Sequence, residues 1–364
     1  MPKADGARSD AGERATTAIT PSGIVVVEAK LRPGPIRADL IQRESIVQDL
    51  IEAADKKVIL VDAPIGYGKT TLLMQWRVHT AEPRPFAWVT LDGDDNDVMR
   101  LWTYIAEAVR RVEPQVGAEM MRILRLSEGT PPDAMMPRLI NELAVLPRKI
   151  VIVLDDLFEI KESHCVQSIG LLIEYLPPTA QLVIATRSEP PMSLNRLRLA
   201  DEMLEIRTSK IRFQVDDASS LLQRILGRDL PPREVEELVE RTEGWPAGLY
   251  LAALSLQGRV DTATFVEQFA GDHRHVADYL TMEVLNRQPE RTRRFLARTS
   301  ILDRLTASLC DAVTGMGRSA STLDELERSN LFLVAIDERR QWYRYHRLFQ
   351  GLLKSELRRS EGEL

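Results

Sequence analysis

Cysteine is nearly absent: the 364 residues hold two, Cys165 and Cys310. Two thiols so far apart fit no zinc-ligand spacing and build no disulfide framework, so both read as buried spectators. No run of about 18 apolar residues occurs, and the N-terminus lacks the apolar core of a secretion signal. The chain is therefore expected in the cytoplasm and away from membranes. An excess of positive charge is also missing. Lys and Arg number 48 against 54 Asp and Glu, for a net charge of -6, which leaves no general electrostatic footprint for nucleic acid. The local basic runs at 291–294 and Arg358-Arg359 read as solvated helix faces. What is present is ordinary soluble composition, 44% hydrophobic and 28% charged, in a chain long enough for two or three domains with real cores.

Residues 1–23 are polar, small and without periodicity, which predicts a disordered tail. Ile24-Val27 is a short apolar run before the linker Pro33-Gly34-Pro35, and helical spacing follows from Arg43 to about Ala54. Buried strands then alternate with helices. Strands are predicted at 58–61, 86–89, 150–154 and 182–185, and helices from Lys69 to about Thr80 and at 99–112, 134–145 and 164–175. These strands are continuous Val/Ile/Leu runs, as expected when helices cover both sheet faces. The fold class is therefore α/β, a doubly wound parallel sheet over about 24–205. After Leu204 the pattern turns helical, at 216–226, 231–243, 247–257 and 262–285, giving a helical domain over 206–288. Helices at 291–298, 306–314 and 322–329 then lead to strands Leu331–Ile336 and Trp342–Tyr345, joined by a turn at Asp337–Arg340. Helices followed by a β-hairpin look like a winged helix, over 289–364.

The strongest local signal is Ala63-Pro64-Ile65-Gly66-Tyr67-Gly68-Lys69-Thr70, placed between a strand and an amphipathic helix. A phosphate-binding loop needs this order, because its backbone N–H groups wrap the anion and the helix begins there. Lys69 would reach the terminal phosphates and the Thr70 hydroxyl would hold Mg²⁺. Ala63 replaces the usual first glycine, which is tolerated if its φ stays negative. Downstream, Val151-Ile152-Val153-Leu154-Asp155-Asp156 is a buried strand ending in two acids. Asp155 would hold Mg²⁺, and Asp156 would orient or deprotonate the attacking water. The next strand ends Ala185-Thr186-Arg187, where an arginine can sense a γ-phosphate electrostatically.

From about Leu31 to Leu353 the sequence resembles the nucleotide-binding module of MalT-like regulators, large LuxR-type transcriptional activators of the STAND class of signal-transducing ATPases. The matching segments come in order. Leu40-Ile41-Gln42-Arg43 is similar to the N-terminal anchor, and Ala63-Pro64-x-Gly66-Tyr67-Gly68-Lys69-Thr70-Thr71 to that family's form of the loop. Trp88-Val89-Thr90-Leu91-Asp92 and the acidic Asp94-Asp97 stretch follow, then Leu154-Asp155-Asp156 and Ala185-Thr186-Arg187. Gly244-Trp245-Pro246-Ala247-Gly248-Leu249 and Tyr345-His346-Arg347-Leu348-Phe349 complete the series. The resemblance implies ATP or ADP with Mg²⁺ as ligands and Arg43 near the nucleotide. It also implies Pro246 near the adenine, and His346 as a winged-helix contact to ADP phosphates that locks a resting state.

Such activators also carry a helical-repeat sensor and a DNA-binding helix-turn-helix, and this sequence ends at Leu364 before either. Two lookalikes fail on chemistry. Leu230–Leu238 resembles the start of a LuxR-type DNA-binding domain, but Pro246 falls in the would-be recognition helix. Gly227-Arg228-Asp229-Leu230 echoes a kinase catalytic loop, but lacks its histidine, and no Asp-Phe-Gly follows. Three functions stay open: a nucleotide-dependent switch with slow hydrolysis, an ATPase of ordinary turnover, and a module that holds nucleotide and contacts a partner. The first is favoured, with self-association or a partner regulator as its output and no direct DNA binding by this chain.

Overall fold

The computed structural model describes residues 18–19, 24–35, 40–118, 120 and 136–361. Most of the expected tail, and the first two residues of the helix expected at 134–145, lie outside these. The exception in the tail is Ala18–Ile19 (β1), which pairs antiparallel with Val25–Val26 (β2).

Five parallel strands form the central sheet: Val58–Asp62 (β3), Phe86–Thr90 (β4), Ile150–Asp155 (β5), Ala180–Thr186 (β6) and Met203–Arg207 (β7). Their spatial order is β4-β5-β6-β3-β7. The strand preceding the phosphate loop thus neighbours β6, and the Asp155 strand lies one place further out. Side chains alternate between two cores, as strand geometry requires. Ile59, Val61, Val151, Val153 and Val183 face the helices Glu44–Glu52 and Lys69–Arg77. Leu60, Ile152, Leu154 and Ile184 face Val98–Val112, Met136–Ala144 and Ser163–Tyr175. Both faces are covered, which is why the strands read as continuous apolar runs.

Strand β7 was not anticipated, since the sequence pattern was read as turning helical after Leu204. It pairs in parallel with β3, Asp62 opposite Arg207. Its Met-Leu-Glu-Ile-Arg sequence carries charge because it is an edge strand, and edge strands use charge to discourage further pairing.

The first core continues without interruption through the later helices, from Trp76 to Trp245, Phe269, Phe349 and Leu353. The helices there are Val215–Leu226, Pro232–Thr242 and Pro246–Leu256. The long helix expected at 262–285 is broken into Thr262–Gln268 and Arg274–Glu283. Gly271 sits in the break because the backbone of Leu348 comes so close that any Cβ there would overlap its carbonyl. The last part holds helices Glu290–Thr299, Ala307–Thr314 and Ser319–Arg328. The hairpin Leu333–Ala335 (β8) with Tyr343–Tyr345 (β9) and the helix Arg347–Glu361 follow. Gly227, of the kinase lookalike, caps the helix Val215–Leu226 at φ 69°. Among the described residues no helix is long and apolar enough to cross a membrane.

Candidate functional site

The loop joining β3 to the helix Lys69–Arg77 lies at the C-terminal edge of the sheet, where open α/β sheets bind ligands. Gly66 and Gly68 take φ of 79° and 81°, a conformation that L side chains rarely adopt. Ala63 is buried and its φ is not positive, so a methyl group is tolerated where the usual pattern has glycine. Among the described residues, none of the amide N–H groups of residues 65–69 has a protein acceptor. A concave run of unpaired amides ahead of a helix N-terminus is an anion cradle.

Lys69 is buried, and its Nζ donates to the carbonyls of Ala63 (2.8 Å) and Pro64 (3.2 Å). Burial holds its pKa down at about 8, against the pull of Asp156, Asp155 and Asp62. A phosphate beside it would raise that pKa again and supply better acceptors than two carbonyls. Thr70 Oγ1 donates to Asp155 Oδ2 at 2.9 Å, so the structure joins the two residues expected around Mg²⁺. Asp155 is 1% exposed, and burial and the charge of Asp156 push its pKa up to about 6. Among the described residues its carboxylate accepts from the Thr70 hydroxyl and the Asp156 N–H, both neutral donors. The donor set of Thr70 hydroxyl and paired carboxylates suits a hard oxygen-seeking cation.

Asp156 sits in the left-handed region at φ 60°, uncommon for a non-glycine residue and concentrated at functional sites. Its carboxylate lies 3.9 Å from the Arg187 Nε, and the Arg187 guanidinium rests 4.3 Å from the Phe158 ring centroid. The structure therefore brings Lys69, Thr70, Asp155, Asp156 and Arg187 to one edge of the sheet.

Arg43 serves as a brace. Its guanidinium donates to the carbonyls of Ile211 (2.8 Å) and Arg212 (3.3 Å) and stacks 4.8 Å from the Phe213 ring. It ties the start of the helix Glu44–Glu52 to the start of the helical region. Pro246 takes the first turn of its helix, where its missing N–H costs nothing. His346 is 3% exposed. Its Nε2 meets the Thr242 carbonyl at 2.9 Å, its Nδ1 has no partner among the described residues, and burial lowers its pKa. Its ring packs edge-on to Trp245 and Phe332.

Trp245 was quoted only as part of a motif, and its own role was missed. Its indole N–H donates to the Ile65 carbonyl at 3.0 Å, and the Ala247 N–H donates to the Gly66 carbonyl at 3.1 Å. A Cβ on Gly66 would lie 2.7 Å from both Ala247 Cβ and Trp245 Nε1. Gly248 makes room for the indole, since a Cβ there would stand 2.6 Å from Trp245 Cε3. The motif's Trp and its second Gly are thus a plug and its socket against the phosphate loop. A cleft of about 310 Å³ is lined by Arg212, Phe213, Glu243 and Arg344 among others. Asp62, also overlooked, is taken up below.

These features define the P-loop fold of the parallel-sheet class, with a winged helix docked near the loop. Residues 281–364 match the MalT winged helix domain family, and over most of its length the chain is similar to MalT-type regulators. It is 30% identical over 359 residues to the serine/threonine-protein kinase PknK of Mycobacterium tuberculosis, covering 98% of this chain and 32% of that protein. It is 29% identical over 323 residues to the HTH-type transcriptional regulator MalT of Klebsiella pneumoniae, covering 88% of this chain and 36% of that one. The chain thus spans about a third of the length of these relatives. The Walker-type ATPase of Pyrococcus abyssi shares the fold with a TM-score of 0.61 at 18% identity, over 89% of this chain and 99% of that one.

Proposed function

We propose that the chain is an ATP- and ADP-dependent signalling switch of the STAND type, in which slow hydrolysis resets the state. The observation that carries this reading is the grip of Trp245 and Ala247 on the Ile65 and Gly66 carbonyls. A loop whose outer side is held by a separate helical segment cannot change its ligand without that segment responding. This favours a switch over an ATPase of ordinary turnover, which needs no such coupling. Lys69 and residues 64–71 hold the phosphates, and Thr70 and Asp155 hold Mg²⁺, which neutralises phosphate charge when bound. Asp156 positions water and Arg187 senses the γ-phosphate. Arg43 and Pro246 flank the nucleoside, and His346 supports the ADP state from beside Trp245.

The matched stretch is shared by relatives named as a kinase and as a transcriptional regulator. A module common to two such different outputs is better suited to input. We therefore assign this stretch, with its net charge of -6, no DNA readout of its own. Its output is self-association or contact with a partner regulator, in the cytoplasm. Nucleotide extracted from freshly purified protein tests the reading. ADP should be retained by wild type and lost in Lys69→Ala, whose affinity should fall at least about a hundredfold. Equal ADP binding by both proteins would remove the site assignment, and rapid turnover without retained ADP would favour the ordinary ATPase.

A further inference from the structure

Both flanks of the phosphate loop are tied to one short turn of the winged helix, residues 329–332. On one flank is Asp62, the last residue of β3. It is 4% exposed, and its Oδ1 accepts a hydrogen bond from Asn330 Nδ2 at 2.7 Å while its Oδ2 meets Arg207 at 3.1 Å. The Glu189 N–H donates to the Arg328 carbonyl at 3.1 Å, so the end of the helix that leads into the turn is held as well. On the other flank is Trp245, whose indole bonds the Ile65 carbonyl. The Phe332 ring meets it edge-on at 5.3 Å between centroids, and also packs against His346 and Phe349.

The turn takes an uncommon backbone to do this. Asn330 and Phe332 have φ of 46° and 52°. Asn visits this region with modest penalty, but a bulky aromatic there is an outlier that the surroundings must hold in place. Here the Phe332 carbonyl accepts from the His346 N–H at 2.8 Å, and its ring is 4% exposed.

We propose that Asn330 and Phe332 are positioning residues of the nucleotide site, forming a clasp that fixes the loop at Asp62 and, through Trp245, at Ile65. The inference rests on the nucleotide reading above and adds the element that couples the winged helix to it. With its carbonyls held from outside and the strand end before it anchored, the loop keeps its amides turned to the ligand, and preorganisation of this kind strengthens binding. Moving the winged helix away releases both anchors together, so the domain's position and the lifetime of bound ADP are linked reciprocally.

The test is stopped-flow release of a fluorescent ADP analogue from the full chain, with thermal melting in parallel. Asn330→Gly removes the carboxamide and still accepts the positive φ, so the backbone of the turn is preserved. It should speed ADP release about tenfold, the effect of losing one hydrogen bond to a buried carboxylate. Phe332→Leu should do the same through Trp245. The exchange Asp62→Asn with Asn330→Asp restores a donor-acceptor pair in reverse and should bring the rate back to within about threefold of wild type, a recovery expected of the pair itself. Release from Asn330→Gly at the wild-type rate, or an exchange variant no better than Asn330→Gly, overturns the clasp while leaving the nucleotide reading intact. Failure of wild type to bind the analogue overturns that reading and the clasp with it.

Discussion

Two buried carboxylates stand at the ends of parallel strands beside the same loop, and they do different things. Asp62 ends β3 and Asp155 ends β5. Burial pushes both up to about 6, so their protonation equilibria do not tell them apart. Their neighbours do. Asp62 already has the Arg207 guanidinium at 3.1 Å and the Asn330 amide at 2.7 Å, with Glu189 and Glu205 sharing the same arginine. Among the described residues, Asp155 has only the Thr70 hydroxyl and a backbone N–H as hydrogen-bond donors, with a second acid beside it. A perturbed pKa marks burial and function alike. What separates a cation site from a structural joint is whether a cation is already bonded there.

The largest expected effect tests that distinction directly. In Asp155→Asn the gain in ATP affinity on adding Mg²⁺, expected to be about thirtyfold or more in wild type, should vanish, because a neutral amide is a poor ligand for a hard cation. In Asp62→Asn the gain should remain within about threefold of wild type, since the amide oxygen still accepts from Asn330. Calorimetry of ATP with and without Mg²⁺ measures both. A Mg²⁺ response lost in both variants would break the comparison.

Acid titration sharpens it at smaller amplitude. The folded-state pKa of Asp62 lies above its ordinary value of 3.8, at about 6, from burial first, with Glu189 and Glu205 adding and Arg207 opposing. The folded protein therefore binds the proton more tightly than the unfolded chain. The resulting stability is fully present below about pH 3.8 and is lost as pH rises through about 6. Measured as wild type minus Asp62→Asn in urea melts, stability should fall by up to about 2 kcal/mol between pH 4 and 7. A flat difference would show that Arg207 holds Asp62 ionised throughout.

Much of this was legible in the sequence, for identifiable reasons. The loop, Asp155, Asp156 and Arg187 lie at the ends of strands whose apolar runs announce themselves, and the structure gathers them where the strands end. The sheet's two covered faces were readable from the same runs. Strand β7 was not, because an edge strand mixes charge into its pattern. The split near Gly271 was hidden because its cause is the backbone of Leu348, distant in sequence. Trp245 and Asp62 escaped as site residues for a similar reason. Each acts through a partner from another part of the chain, Ile65 for one and Asn330 for the other. Spacing along the chain carries no trace of such pairs.

His346 is another buried titratable group in this neighbourhood, and the smallest expected effect concerns it. Burial lowers its pKa, so at neutral pH it is an uncharged ring whose Nε2 donates to the Thr242 carbonyl in the tautomer that this contact requires. Its link to the phosphate loop runs through Trp245, with ring centroids 6.1 Å apart. An edge-on aromatic contact is worth about 0.5–1.5 kcal/mol, and only part of that reaches the loop. His346→Ala should therefore speed ADP release about threefold, less than Asn330→Gly, with ATP affinity nearly unchanged. Its Nδ1, however, is buried without a partner, the kind of unmet demand that distinguished Asp155 from Asp62. If ADP draws a proton onto the ring, Nδ1 becomes an N–H donor to a phosphate oxygen, and the loss becomes that of a charge-assisted bond to an anion, about thirtyfold or more. The stopped-flow rate of this one variant thus decides whether the histidine touches the nucleotide or only steadies the tryptophan that does the holding.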